Sequence, residues 1–352
     1  MPERILITGA TGFVGGWLAE ACQRAYPQAA LFGLGHPLAT GDHQPSALSP
    51  ARAPAPAMPL THIEADITDA GQVRAAIAQA RPDLIFHLAG QASVAASWAD
   101  PARTLAVNAG GAVRLFEVLR AEGLLATRVV LAGSGEQYGN VAEQENPIGE
   151  ETPFRPATPY AVSKAAQDLY GYQYGAAWHL PVLRARSFNA FGPRGGSAFV
   201  IGDFARQIAR LEAGAGEPVL WVGNLAARRD FLPVQDVVAA YLALAERGRP
   251  GEAYNIGSGH GHSIEEVLRA LVGLARVEIA VRPDPARFRP VDVPLLVADT
   301  TKLRRETGWQ PGYDFARALE ETLEYWRLVV RQSVAANAAA DVAAGAEGAG
   351  GG

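Results

Sequence analysis

Arg4-Ile5-Leu6-Ile7-Thr8-Gly9-Ala10-Thr11-Gly12-Phe13-Val14-Gly15 stands almost at the start of the chain. Its first five residues form a short apolar run stopped by glycine, the pattern of a strand buried on both faces. Glycines at 9, 12 and 15 then recur at a spacing of three and three. A tight turn out of a strand needs a residue without Cβ. Close approach of backbone to a pyrophosphate needs a second, and close packing of helix on strand a third. From Phe13 to Tyr26, the residues Val14, Trp17, Leu18 and Ala21 share one helical face. Such a helix directs its first N–H groups and the positive end of its dipole at a phosphate. Strand, glycine turn and amphipathic helix in this order point to a dinucleotide site; a tight turn without a ligand is the plainer alternative.

Outward from this unit the pattern repeats. Ala30–Leu34, Leu84–Leu88 and Arg128–Ala132 read as further strands, with helical stretches at about 73–80 and 104–122 between them. The alternation predicts an α/β fold, a doubly wound parallel (Rossmann) sheet followed by a smaller C-terminal α/β substrate domain. The expected division is 1–185, also receiving about 228–258, against 186–227 with 259–330. Phe199–Ala213 and Ser263–Leu274 look helical, and Pro283–Pro294 reads as an extended loop. Two stretches fall outside the pattern. Residues 36–60 hold six prolines and read as an inserted surface loop. Residues 334–352 hold nine alanines and five glycines, and are expected to be a disordered tail.

Composition sets the outer limits. The chain has 352 residues, 49% hydrophobic and 19% charged, enough for a sizeable core and for roughly two domains. A net charge of −5 argues against a general nucleic-acid or membrane-surface binder. Cys22 is the one cysteine, so neither an intrachain disulfide nor a cysteine-rich metal site is expected. The N-terminus lacks the pattern of a signal peptide, and no long apolar run suggests a membrane span, so a cytoplasmic location is expected.

Tyr160-Ala161-Val162-Ser163-Lys164 sets a phenol and an ammonium four apart on a helix face. A neighbouring cation favours the phenolate, which is expected to lower the tyrosine pKa toward neutrality and suit it to acid/base work. By itself the spacing also fits an ordinary surface pair. Its position adds weight: prolines at 156 and 159 lead into the helix, and Ser134 lies just past the strand ending at Ala132, where ligand sites gather in open α/β sheets.

Together, Thr8–Gly15, His87-Leu88-Ala89-Gly90, Ser134 and Tyr160 with Lys164 resemble the extended short-chain dehydrogenase/reductase family, over about residues 3–328. The resemblance implies that Tyr160 exchanges a proton with a sugar hydroxyl or ketone. Lys164 would hold the nicotinamide ribose and Ser134 the reacting oxygen. It implies a cofactor site of Gly9, Thr11, Gly12, Phe13, Val14, Gly15, Asp66, Ile67, Leu88, Ala89, Gly90 and Asn108, with Tyr160 and Lys164. Read from the residues alone, Asp66 is a turn or helix-capping residue. The cofactor is NADP or NAD, with NADPH favoured. Gly33-Leu34-Gly35-His36, where an acid or an arginine would discriminate between them, offers neither, and His36 reads as a loop residue. The resemblance also implies a homodimer or homotetramer paired through apolar helices near 104–120 and 161–177.

Ser187–Pro193, Ser197–Val200, Gly223–Phe231 and Phe288–Val293 resemble the GDP-sugar branch of that family. The implied substrate residues are Ser93, Asn189, Val200, Arg229, Arg289 and Asp292. Arginine's planar fork suits a diphosphate, although any one arginine also fits a solvated surface charge. Glu136 sits where the 4,6-dehydratases carry their C5 base. Gly135, Gly202-Asp203, Arg229–Val237 and Tyr254–Gly259 lie nearer the reductases. The expected reaction is reduction of the C4 ketone of GDP-4-dehydro-6-deoxy-D-mannose to GDP-D-rhamnose. A GDP-mannose 4,6-dehydratase is the alternative, and a non-catalytic dinucleotide-binding regulator is a third of another class.

Overall fold

The computed structural model describes residues 1–35, 60–288, 291 and 293–348, with side chains through Val334. The strands are β1 (Arg4–Thr8), β2 (Ala30–Gly35), β3 (Thr61–Glu64), β4 (Leu84–His87), β5 (Arg128–Ala132), β6 (Val182–Ser187), β7 (Asn189–Phe191), β8 (Val219–Val222), β9 (Arg228–Pro233), β10 (Ala253–Ile256), β11 (Gly261–Ser263), β12 (Ala280–Pro283) and β13 (Leu295–Leu296). The helices are α1 (Phe13–Ala25), α2 (Ala70–Ala80), α3 (Val94–Ala99), α4 (Pro101–Ala121), α5 (Pro159–Trp178), α6 (Val200–Glu212), α7 (Val234–Arg247), α8 (Ile264–Gly273), α9 (Thr301–Thr307) and α10 (Phe315–Gly348).

Seven strands form one parallel sheet in the order β10-β6-β5-β4-β1-β2-β3. The order reverses at β1, so the ends of β1 and β4 flank the crevice where ligands bind in doubly wound sheets. Alternation along each strand loads both faces. Ile5 and Ile7 of β1, Phe86 of β4 and Val130 of β5 pack with Leu18 and Cys22 of α1 and Val237 and Tyr241 of α7. Leu6, Ile85, Val129 and Leu131 point the other way, onto Val73 and Ile77 of α2, Leu115 and Phe116 of α4 and Tyr174 of α5. Continuous apolar runs, rather than alternating ones, are what such two-sided burial demands.

A second body holds β7, β9, β11 and β13 in one sheet and β8 with β12 in another. Its core joins Phe204 and Ile208 of α6, Leu268 and Leu271 of α8, and Leu319, Leu323 and Trp326 of α10. Two expectations need correction. The stretch 228–258 is divided: β9 lies in the small sheet, whereas α7 and β10 belong to the large one, as do Leu303 and Trp309 near α9. The alanine-rich stretch is helical as far as Gly348, continuing α10 rather than hanging as a disordered tail. Alanine has the highest helix propensity, and the packed first turns of α10 already meet the cost of nucleation. The proline-rich stretch from His36 to residue 59, and Arg289 and Asp292, lie outside the described residues.

Candidate active site

The glycine turn closes as its spacing requires. Gly9 adopts φ +71°, a left-handed conformation that glycine takes without strain, and its N–H donates to the Leu34 carbonyl at 2.7 Å. A methyl group at Gly15 would lie 2.1 Å from the Gly9 carbonyl oxygen, so α1 packs against the turn only with hydrogen there. Gly12 precedes α1 in extended conformation, leaving no side chain over the first N–H groups of the helix. That is a cradle a phosphate fits and a Cβ would fill. Thr11 packs against Gly35 at the end of β2, Phe13 lies beside Gly195, and Val14 rests on the large core.

The β4 end is laced to β1. The Leu88 N–H donates to the Thr8 carbonyl at 3.1 Å, and the Ala89 N–H to Thr8 Oγ1 at 3.1 Å. Asn108, fully buried on α4, accepts from the Gln91 N–H at 2.8 Å and donates through Nδ2 to the Gln91 carbonyl (3.0 Å) and to Ser163 Oγ (2.8 Å). It therefore ties the β4 loop to α5 beside Lys164. Gly90 completes this contact, since a methyl there would lie 2.8 Å from Asn108 Oδ1 and 3.6 Å from Lys164 Nζ.

Thr158 caps α5 through the Ala161 N–H, with Pro159 in the first turn, and this start places Tyr160 and Lys164 behind the end of β5. Both are buried, as is Ser134, which opens a short 3₁₀ turn and accepts from the Glu136 N–H at 3.2 Å. Tyr160 is hydrogen-bonded to Ser134. Lys164 Nζ donates to the Ala132 carbonyl at 2.9 Å and to Gln167 Oε1 at 2.8 Å. Burial pushes the Tyr160 phenol up to about 12, against the opposing hydrogen bond from Ser134, with Glu136 and Tyr241 raising it further. The expected lowering by Lys164 is thus overturned: desolvation dominates, and the ammonium is directed at other acceptors. Burial also pushes Lys164 down to about 8. His87 is held neutral, pushed down to about 3 by burial and by the Lys164 charge.

Glu136 and Arg229 meet across a small cavity also lined by Gly139, Thr158, Ala161 and Val293, with Arg229 Nε 4.0 Å from Glu136 Oε1. Arg229 is buried on β9 and donates through Nη1 to the Val293 carbonyl at 2.5 Å and to the Arg228 carbonyl at 3.0 Å. It is a fixed cation at the seam between the bodies, not a solvated one. Behind the site, burial alone would raise the Asp168 carboxyl, but hydrogen bonds from Arg186 and the charges of Arg186 and Arg184 outweigh it and hold the carboxyl below its ordinary value. Arg186 also donates to Tyr138 Oη at 2.8 Å, bracing the turn that carries Ser134 and Glu136.

The other expected residues are engaged as follows. The Asp66 carboxylate accepts from the Thr68 N–H and hydroxyl, both at 2.8 Å, as the turn residue it resembles, while Asp69 caps α2. Ile67 is core, pressed against Gly111. Ser93 caps α3 through the Ala96 N–H at 3.2 Å. Asn189 pairs with Phe231 across β7 and β9, and Val200 begins α6 against the smaller core. Gln167 went unnoticed in the sequence, although its place three residues after Lys164 on one helix was a usable signal.

A sheet that reverses at β1, a glycine cradle at that point, and Ser134, Tyr160 and Lys164 at the end of β5 define an extended short-chain dehydrogenase/reductase. Residues 6–322 match the family described as GDP-mannose 4,6 dehydratase, and the chain belongs to that family. It is 37% identical to a GDP-6-deoxy-D-mannose reductase of Pseudomonas aeruginosa over 332 residues, 94% of this chain and 100% of the relative. The solved structure of RMD from Pseudomonas aeruginosa complexed with NADPH is 33% identical with a TM-score of 0.76, over 92% of this chain and 97% of that one. A Thermus thermophilus UDP-glucose 4-epimerase complexed with NAD is 31% identical with a TM-score of 0.78, over 92% and 99%. Among the described residues, no helix is long and apolar enough to cross a membrane.

Proposed function

We propose that the protein reduces the C4 ketone of GDP-4-dehydro-6-deoxy-D-mannose to GDP-D-rhamnose, using NADPH or NADH. The observation that carries the reading is a buried, neutral tyrosine joined to Ser134 and set one turn before Lys164, because a reductase needs its acid protonated at physiological pH. The likeness to the Pseudomonas reductase over that protein's full length supports the choice of sugar.

A reduced nicotinamide, when bound, would supply the hydride that C4 accepts. Tyr160 donates its proton to the oxygen at C4, and Ser134 holds that oxygen by a hydrogen bond. Lys164 would hold the cofactor's ribose and the glycine cradle with the start of α1 its pyrophosphate, with Leu88, Ala89 and Gly90 as further cofactor contacts. Arg229 supplies a fixed cation for the diphosphate of the sugar nucleotide, with Ser93, Asn189, Val200, Arg289 and Asp292 as further sugar-nucleotide contacts. We place the enzyme in the cytoplasm and expect it to work as a homodimer or homotetramer through α4 and α5. The division into a cofactor body and a sugar-nucleotide body completes the proposal.

Glu136 favours a second reading. It lines the cavity beside Arg229, close enough to Tyr160 to raise its phenol, as a C5 base of a 4,6-dehydratase would. Two reactions separate the readings. GDP-4-dehydro-6-deoxy-D-mannose with NADPH or NADH is expected to oxidise the cofactor, and the C4 configuration of the product identifies GDP-D-rhamnose. GDP-mannose with oxidised cofactor is expected to stay unchanged; a 4-keto-6-deoxy product there, without net change in the cofactor, would establish the dehydratase.

A further inference from the structure

Lys164 is an ammonium in a dry place, and its three N–H groups need acceptors. The Ala132 carbonyl takes one at 2.9 Å and Gln167 Oε1 a second at 2.8 Å. Gly90, without a side chain, leaves room beside Nζ for a third. Gln167 is itself 1% exposed, and its Nε2 has no hydrogen-bond partner among the described residues. Turning the amide over would aim that NH2 group at the ammonium, donor against donor, so the orientation is determined by Lys164. A buried amide satisfied on one side only is a net cost to the fold, which a leucine or methionine of similar size would avoid. The fold therefore gives no reason for a glutamine here; the ammonium does.

We propose that Gln167 is a positioning residue for Lys164: its amide oxygen, with the Ala132 carbonyl, fixes the ammonium so that one N–H remains for the cofactor's ribose beside Gly90. The other groups around the ammonium do not duplicate this role. His87 of β4 is held neutral, and Tyr160 and, beyond it, Tyr241 of α7 are pushed up to about 12. Asp168, one turn further along α5, is paired with Arg184 and Arg186, and Glu136 lies beyond Tyr160. Among the described residues, Gln167 is thus the side chain whose oxygen accepts from the Lys164 ammonium.

The sign follows from that. Burial depresses the lysine and an acceptor opposes the depression, so removing the acceptor makes Nζ lose its proton at lower pH, and a carboxylate in its place delays the loss. The inference rests on the site holding a nicotinamide dinucleotide and not on the choice of sugar, so the test uses no sugar. NADPH affinity, and NADH in parallel, is measured by fluorescence titration from pH 6.5 to 10 for the unaltered protein, Gln167→Met and Gln167→Glu, with circular dichroism and thermal melting on each. The pH at which affinity is half lost is expected to fall by about one unit in Gln167→Met and to rise in Gln167→Glu. At a fixed pH above the transition, a one-unit fall is about tenfold in affinity. If Gln167→Met does not fold, the upward shift in Gln167→Glu carries the test alone. Coincident profiles in folded variants, or an affinity indifferent to pH in the unaltered protein, overturn the proposal. A protein silent on both GDP-sugars but showing these shifts would leave the Gln167 role standing and remove only the substrate reading.

Discussion

Tyr160 and Lys164 titrate in the order a reductase needs. The phenol is pushed up to about 12 and is protonated at every working pH, whereas the ammonium, pushed down to about 8, is the first of the pair to lose its proton. Reduction is therefore expected to be flat below about pH 7 and to fall as pH rises through the lysine value. A pH profile of kcat/KM checks this, and a rate that climbs steadily from pH 6 to 9 would contradict the assignment. Tyr160→Phe removes the proposed proton donor and keeps the ring. Turnover is expected to drop by about 10²- to 10⁴-fold with NADPH binding little changed, as shown by steady-state rates beside a binding titration. Ser134, Tyr160 and Lys164 were legible as residue types at a spacing. The direction of the tyrosine shift was not, because desolvation depends on which elements cover the ring.

At the scale of elements, the start of α1 against the β1 turn is the least tolerant contact in the proposed cofactor site. Gly15→Ala drives a methyl into the Gly9 carbonyl, and the helix must move away from the phosphate cradle. It is expected to cost about 1–3 kcal/mol of stability and at least tenfold in NADPH affinity. Gly16→Ala is the control: its methyl would meet nothing nearer than Arg194 Nη1 at 3.7 Å, so melting temperature and affinity are expected to hold. β1, β2, β4 and β5 were readable because two-sided burial writes unbroken apolar runs, and α1 because its apolar residues share one helical face. Short β3 was not recognised: Thr61–Glu64 has only Ile63 buried and follows the proline-rich stretch. The alanine stretch after residue 334 misled for the opposite reason, since a composition unable to form a core can still extend an existing helix.

At the scale of the molecule, α4 and α5 leave a row of apolar side chains in water. Leu105, Val162, Leu169 and Tyr172 are each between 46% and 57% exposed. Their inward faces are already packed on the sheet, so burial within one chain does not account for the outward ones. A second copy laid across the two helices would cover them, and light scattering of the purified protein is expected to report at least a dimer. Leu169→Glu puts a charge in the middle of that face and is expected to yield monomers with a melting temperature little lower than that of the unaltered monomer fold. A dimer that persists in Leu169→Glu would place the interface elsewhere.

Local rules were enough to recover the doubly wound sheet, the glycine cradle and the Tyr160–Lys164 pair, because each is specified by neighbours within one turn or one strand. The rest depended on partners far apart in the chain. Arg229 could be a surface charge until β9 brought it 4.0 Å from Glu136. β9 itself joined the smaller sheet only because β7, β11 and β13 offered it hydrogen-bonding edges. Gln167 gained meaning when folding buried it against an ammonium with the end of β5 on the other side. Periodicity is a property of consecutive residues; burial, charge pairing and desolvation belong to the packed chain.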